Sequence, residues 1–102
     1  MNRIPLEARP NQSLEVLLNT RRYQITIKET GGVMAISITR DDVILIQNQI
    51  IPANAPLIPY RYLEAGNFVV LTENDDLPNY TEFGLSQRLI YVPQTELDSL
   101  RG

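Results

Sequence analysis

From residue 13 onward, apolar and polar side chains alternate with a period of two, and turn residues interrupt them at short intervals. That period places successive side chains on opposite faces of an extended strand. Leu14, Val16 and Leu18 share one face of a first strand over 13–19, with Ser13, Glu15 and Asn19 opposite. Asn19-Thr20-Arg21 turns the chain into a second strand over 22–29. Tyr23, Ile25 and Ile27 point inward there, and Gln24, Thr26 and Lys28 outward. Thr30-Gly31-Gly32 predicts a tight hairpin, because glycine supplies the positive φ such turns require. Met34, Ile36 and Ile38 face inward in a third strand over 33–39, with Ser37 and Thr39 outward. Arg40-Asp41-Asp42 then leads to a fourth, Val43-Ile44-Leu45-Ile46, apolar on both faces.

The flanking segments are less regular. Pro5 and Pro10 make residues 1–12 an extended arm that can serve as an edge strand. Residues 48–59 hold Pro52, Pro56 and Pro59 and no period, which predicts a long connection across one end of the structure. A fifth strand is expected at Tyr60-Arg61-Tyr62-Leu63. A sixth, Phe68-Val69-Val70-Leu71, is again apolar on both sides, and a seventh runs from Gln87 to Val92 after Gly84. In the polar tail, 93–102, Thr95 is a candidate cap for one helical turn carrying Leu97 and Leu100. The expectation is all-β: one domain over 1–102, a small antiparallel β-sandwich or barrel of about seven strands with a Pro-rich central connection. Strands four and six must lie at a barrel crossing or cover a second surface, either the long connection or another subunit. Exposed strand edges invite pairing with a neighbouring chain.

Composition narrows the chemistry. The chain has no histidine, cysteine or tryptophan among its 102 residues. That removes the commonest general base, the commonest transition-metal ligand and all thiolate chemistry. No enzymatic activity, cofactor or metal is expected. A net charge of −3 argues against the basic face that nucleic-acid binding needs. No apolar run approaches the roughly 20 residues that span a bilayer, so membrane insertion is not expected either. The start, Met1-Asn2-Arg3-Ile4-Pro5, lacks the apolar stretch of a signal peptide, and synthesis in the cytoplasm is expected. Of the nine basic residues only Lys28 is lysine. Arginine-rich usage suits protein interfaces, and lineage bias produces it equally.

Glu73-Asn74-Asp75-Asp76 is the one dense acidic group. Paired carboxylates serve glycoside hydrolysis, and oxygen-rich loops bind calcium. This loop lacks the alternation and distal Glu of an EF-hand, and a solvated turn explains it better. Gly31 and Gly32 precede a strand and not a helix, so they form a hairpin and not a phosphate cradle. The candidate contact residues are Tyr60, Arg61, Tyr62, Tyr80 and Phe83, because Tyr and Arg recur as interface hot spots. Alternation puts Tyr60 and Tyr62 on one face and Arg61 on the other. Core packing of the same rings remains open as the alternative.

Taken in order, several segments resemble the baseplate plug proteins of contractile-tailed phages, the cyanophage type in particular. They are Ile4-Pro5-Leu6, Pro10-Asn11-Gln12 with Leu14, Pro59-Tyr60-Arg61-Tyr62-Leu63, Gly66-Asn67-Phe68, Asp76-Leu77-Pro78, Phe83-Gly84 and Leu89-Ile90-Tyr91. The likeness covers about residues 4–92. It implies a structural virion protein of the tail baseplate, assembled in several copies around the tail axis against tail tube and hub proteins. It brings no catalytic residues. It implies shaping roles for Pro5, Pro10, Asn11 and Gln12 in the entry arm, and for Phe83, Gly84 and Tyr91 around the last strand. The rival reading is a carbohydrate- or calcium-binding β-module of a host-recognition apparatus.

Overall fold

The computed structural model describes residues 2–59 and 65–101, the side chains of Asn2 and Arg101 excepted. Its strands are β1 (Asn2–Ile4), β2 (Gln12–Leu18), β3 (Arg21–Thr30), β4 (Val33–Arg40), β5 (Val43–Ile50), β6 (Asn67–Leu71) and β7 (Arg88–Val92), followed by helix α1 (Gln94–Arg101). The fifth strand expected at Tyr60–Leu63 lies outside the described residues. All pairings between these strands are antiparallel. They form a four-stranded sheet in the order β2-β3-β4-β5 and a three-stranded sheet in the order β1-β7-β6.

The two sheets face each other across a single apolar layer, giving the sandwich form of the all-β expectation. Tyr23, Ile25, Ile27, Ile36 and Ile38 enter it from the larger sheet, and Phe68, Val70, Leu89 and Tyr91 from the smaller. Every one of these is essentially inaccessible to solvent. The inward residues read from alternation in β3 and β4 are all buried, and Ala35 on the other face of β4 is buried with them. Ile4 joins the same layer, so the N-terminal arm begins as an edge strand on β7.

Three two-residue hairpins produce the meander. Leu18 pairs with Arg21, Thr30 with Val33 and Arg40 with Val43, leaving Asn19-Thr20, Gly31-Gly32 and Asp41-Asp42 as the loops. All six loop residues have positive φ. That is the type I′ geometry, whose twist matches the twist of the strands it joins. Thr20, at φ 63°, is the least suited of the six, because a β-branched side chain crowds the backbone in the left-handed region. Thr20→Gly is expected to raise stability by roughly 0.5–1 kcal/mol, the relieved strain exceeding the entropy glycine adds to the unfolded chain. A urea melt checks it, and an unchanged or lowered midpoint would contradict it.

Two expectations need correction. Strand four does not stop at Ile46. β5 continues to Ile50 through two register shifts against β4, because bulges let Leu45 and Ile46 both turn inward. The C-terminal tail is a helix of two turns and not one, and Thr95 lies inside it instead of capping it. Leu97 is buried and Leu100 exposed. Leu97 packs on Val69, Ile90 and Val92, the outer face of the smaller sheet. The second apolar face of the sixth strand is thus covered by the chain's own helix, a third layer that neither the long connection nor another subunit supplies.

Candidate functional site

Strand edges and outer faces are where a β-sandwich can meet other chains, and each sheet here has two edges. On the smaller sheet, β1 is three residues long. The other edge, β6, is covered by the proline-rich connection. Leu57 N–H donates to Phe68 O at 2.9 Å and Asn54 N–H to Val70 O at 2.9 Å, with Pro56 bridged to Val69. Proline has no N–H to give, so this segment pairs only intermittently and offers no template beyond itself.

The larger sheet is different. Its edges are β2, seven residues with one charge, Glu15, and β5, eight residues with none. Val43, Ile44 and Ile50 are exposed on β5, and Leu17 on β2 is 72% exposed. Cross-strand register puts Ile44 opposite Thr39 and Ile50 opposite Ala35, and Leu17 opposite Arg22. Those partners belong to the outward set, so the exposed aliphatics lie on the outer face. Glu15 is 4.0 Å from the Arg22 guanidinium, which also reaches Asp42 at 3.4 Å. On β5, Asn48 has φ 48° and its N–H is taken by the Ser37 hydroxyl at 2.9 Å.

Side-chain amides hold the irregular segments in place. Gln12 accepts from Glu7 N–H at 3.0 Å and donates to Glu7 O at 2.7 Å, fixing the entry arm. Asn11 accepts from Glu29 N–H at 3.2 Å. Asn54 accepts from Thr72 N–H at 2.9 Å and donates to Asp75 at 2.8 Å. Buried Gln87 accepts from Asn79 N–H at 2.8 Å and donates to Leu77 O at 3.2 Å. Fully buried Asn67 accepts from Ile58 N–H at 2.9 Å and donates to Ile58 O at 3.1 Å. A primary amide carries the same donor and acceptor as a peptide group, so each one acts as a substitute strand partner where no strand exists.

One end of the sandwich is closed by an aromatic cluster. The Tyr23, Phe68 and Tyr91 rings have centroids 5.2–6.0 Å apart in tilted and edge-on geometry. Both tyrosine hydroxyls donate to Ala65 O, at 3.3 and 3.0 Å, and Asn19 Nδ2 donates to the Tyr91 hydroxyl at 3.2 Å. Burial holds the Tyr91 hydroxyl pKa above the ordinary tyrosine value, with neighbouring Tyr23 adding to the rise. The folded chain therefore keeps a proton that the unfolded chain loses. This contribution to stability is full below about pH 10 and declines as pH rises beyond it. Alkaline urea titrations of wild type and Tyr91→Phe are expected to differ in slope above that pH, and identical slopes would remove the assignment.

Of the candidate contact residues, Tyr60, Arg61 and Tyr62 lie outside the described residues. Phe83 is buried in the main core, and Tyr80, half-buried, packs against that core. Phe83 therefore serves packing, and Tyr80 keeps part of its ring open. The acidic group is a tight turn: Asp76 N–H donates to Glu73 O at 3.0 Å, with Asn74 and Asp75 in the left-handed region. Among the described residues, no cluster of acidic side chains has the form of a metal site. Gly84, at φ 81°, lies beneath the entry arm, where a Cβ would sit 3.1 Å from Leu6 O. The segments carrying the resemblance at the two ends of the chain thus meet, β1 on β7 and Leu6 on Gly84. Sequence reasoning missed the amide partners, Asn54, Asn67 and Gln87, since a polar residue beside a turn reads as solvated.

Comparison with curated proteins gives no match. A family model does match, that of the cyanophage baseplate Pam3 plug gp18, over residues 1–95. No helix among the described residues is long and apolar enough to cross a membrane. With residues 1–95 of the 102 matched, this protein belongs to the cyanophage baseplate plug family, a structural family of the phage virion.

Proposed function

We propose that the chain plugs or joins the distal end of the tail tube and the central hub of a contractile tail, as one of several copies arranged around the tail axis. The family match over residues 1–95 carries this reading. The subunit is made in the host cytoplasm and built into the particle. Its work is mechanical: interfaces hold the tube–hub junction closed and yield when the tail fires. No reaction is assigned to it, and the chain has neither a histidine nor a cysteine to serve as base or nucleophile. The net charge of −3 supports a place near the DNA path, since an acidic surface does not grip passing phosphates.

Tyr80, together with the exposed aliphatics of the larger sheet, is the contact surface we assign to neighbouring baseplate proteins. Mass spectrometry of purified particles is expected to recover peptides of this chain in fixed ratio to hub peptides. Density from the baseplate would place it on the tail axis. Particles free of it, or its recovery only at the wedge periphery, would end the reading.

A further inference from the structure

We propose that copies of this chain join head to tail, the β5 edge of one pairing antiparallel with the β2 edge of the next. The inference rests on the baseplate reading only for its setting, several copies around an axis. The contact itself is argued from the sheet.

The larger sheet has four strands, all antiparallel. An even number makes its two outer strands run in opposite directions. A second copy in the same orientation therefore brings β2 antiparallel to β5 and continues the ladder without a change of type. Such a contact is heterologous, and its repetition closes a ring where the rotation between copies divides a full turn. The smaller sheet offers no equivalent, with β1 only three residues long and β6 covered by the connection.

Charge is compatible with a copy of the same chain as occupant. β5 has no ionisable side chain between Val43 and Ile50, and the single charge on β2, Glu15, already faces Arg22. Pairing these edges buries no unpartnered charge. Exposed aliphatics occur on both edges and on the same outer face, Leu17 on β2 and Ile44 and Ile50 on β5. Joining the edges brings these side chains into one row, the arrangement that stabilises cross-strand pairs. The bulges in β5 divide its edge into short runs, which limits each contact and keeps it reversible.

The absence of native cysteine makes a direct test possible. Leu17 and Ile44 are separated by β3 and β4, about 14 Å apart at three strand spacings, too far for a disulfide within one copy. Under mild oxidation at high protein concentration, the Leu17→Cys, Ile44→Cys double variant is expected to give a ladder of covalent multimers. Each single variant is expected to give dimers at most. Mixing Leu17→Lys with Ile44→Lys, each blocked at one edge and alike in charge there, is expected to restore a one-to-one dimer in native mass spectra. Far-ultraviolet circular dichroism confirms that each variant is folded. A double variant that stays monomeric overturns the pairing. So does crosslinking by Ile44→Cys alone that equals the double variant, which would indicate β5 against β5. Recovery of the chain in particles without a ladder would overturn this contact and leave the baseplate reading standing. A ladder from a chain absent from particles would do the reverse.

Discussion

Gly66→Ala is expected to cost more stability than almost any other single-atom addition to this chain. The residue has φ 93°, where an L side chain is strained whatever the space around it. Space is lacking as well. A Cβ would overlap the Tyr91 hydroxyl and lie 2.5 and 2.6 Å from Cζ and Cε1 of its ring. The ring has nowhere to go. It is packed against Tyr23 and Phe68 and tethered by Ala65 O and Asn19. Displacing a buried aromatic together with the backbone strain is expected to cost about 4–6 kcal/mol. A domain of this size has about 5–15 kcal/mol in all, so the variant should melt roughly 20 °C lower or fail to fold. Tyr91→Phe is not expected to rescue it, because the ring carbons remain in the way. In a Tyr91→Leu background, Gly66→Ala should cost only the backbone strain, about 1–2 kcal/mol. Urea melts of the single and double variants measure this coupling, and strict additivity would show that the ring is not what glycine accommodates.

Gly66 also marks where sequence reading reaches its limit. Its neighbours Ala65 and Asn67 make it look like any turn glycine, and the reason for it is a tyrosine 25 residues away on β7. The meander was legible for the opposite reason. Its hairpins are local, and period-two patterning with Asn, Gly and Asp at the turns states each strand, its inward face and its reversal. β5 signalled its exposed side chains by being apolar on both faces. That it forms an edge of the sheet among the described strands was not legible, because strand order depends on which elements pack together and not on their sequence. The helix was read as a single turn because Leu97 alone anchors it, and its site is created by Val69, Ile90 and Val92 from two strands. Family resemblance filled a gap of another kind. It assigned a role in the virion, which no arrangement of strands states.

The second large effect is expected at Asn67. Its side chain binds the long connection at Ile58 and also its own strand: Oδ1 accepts from Ile58 N–H and Phe68 N–H, and Nδ2 donates to Ile58 O. Asn67 is fully buried and Ile58 nearly so. Leucine fits the volume and leaves these backbone groups without partners in an apolar setting. At about 1–3 kcal/mol for each orphaned group, Asn67→Leu should destabilise the fold by roughly 3–5 kcal/mol. Asn67→Asp isolates the electrostatic part. A carboxylate still accepts from both N–H groups but cannot donate to Ile58 O, and its charge is buried. When protonated it recovers the donor. Its folded pKa is therefore expected above the unfolded value of about 3.9. A raised pKa means stability present below that value and lost as pH rises through the folded pKa. The aspartate variant should thus approach wild-type stability near pH 3 and fall away toward neutrality, while the leucine variant stays equally weakened at both. Urea midpoints for the three chains across that range decide the point. A leucine variant as stable as wild type would mean that the connection is held by its prolines and Leu57 alone, and that the amide is a passenger.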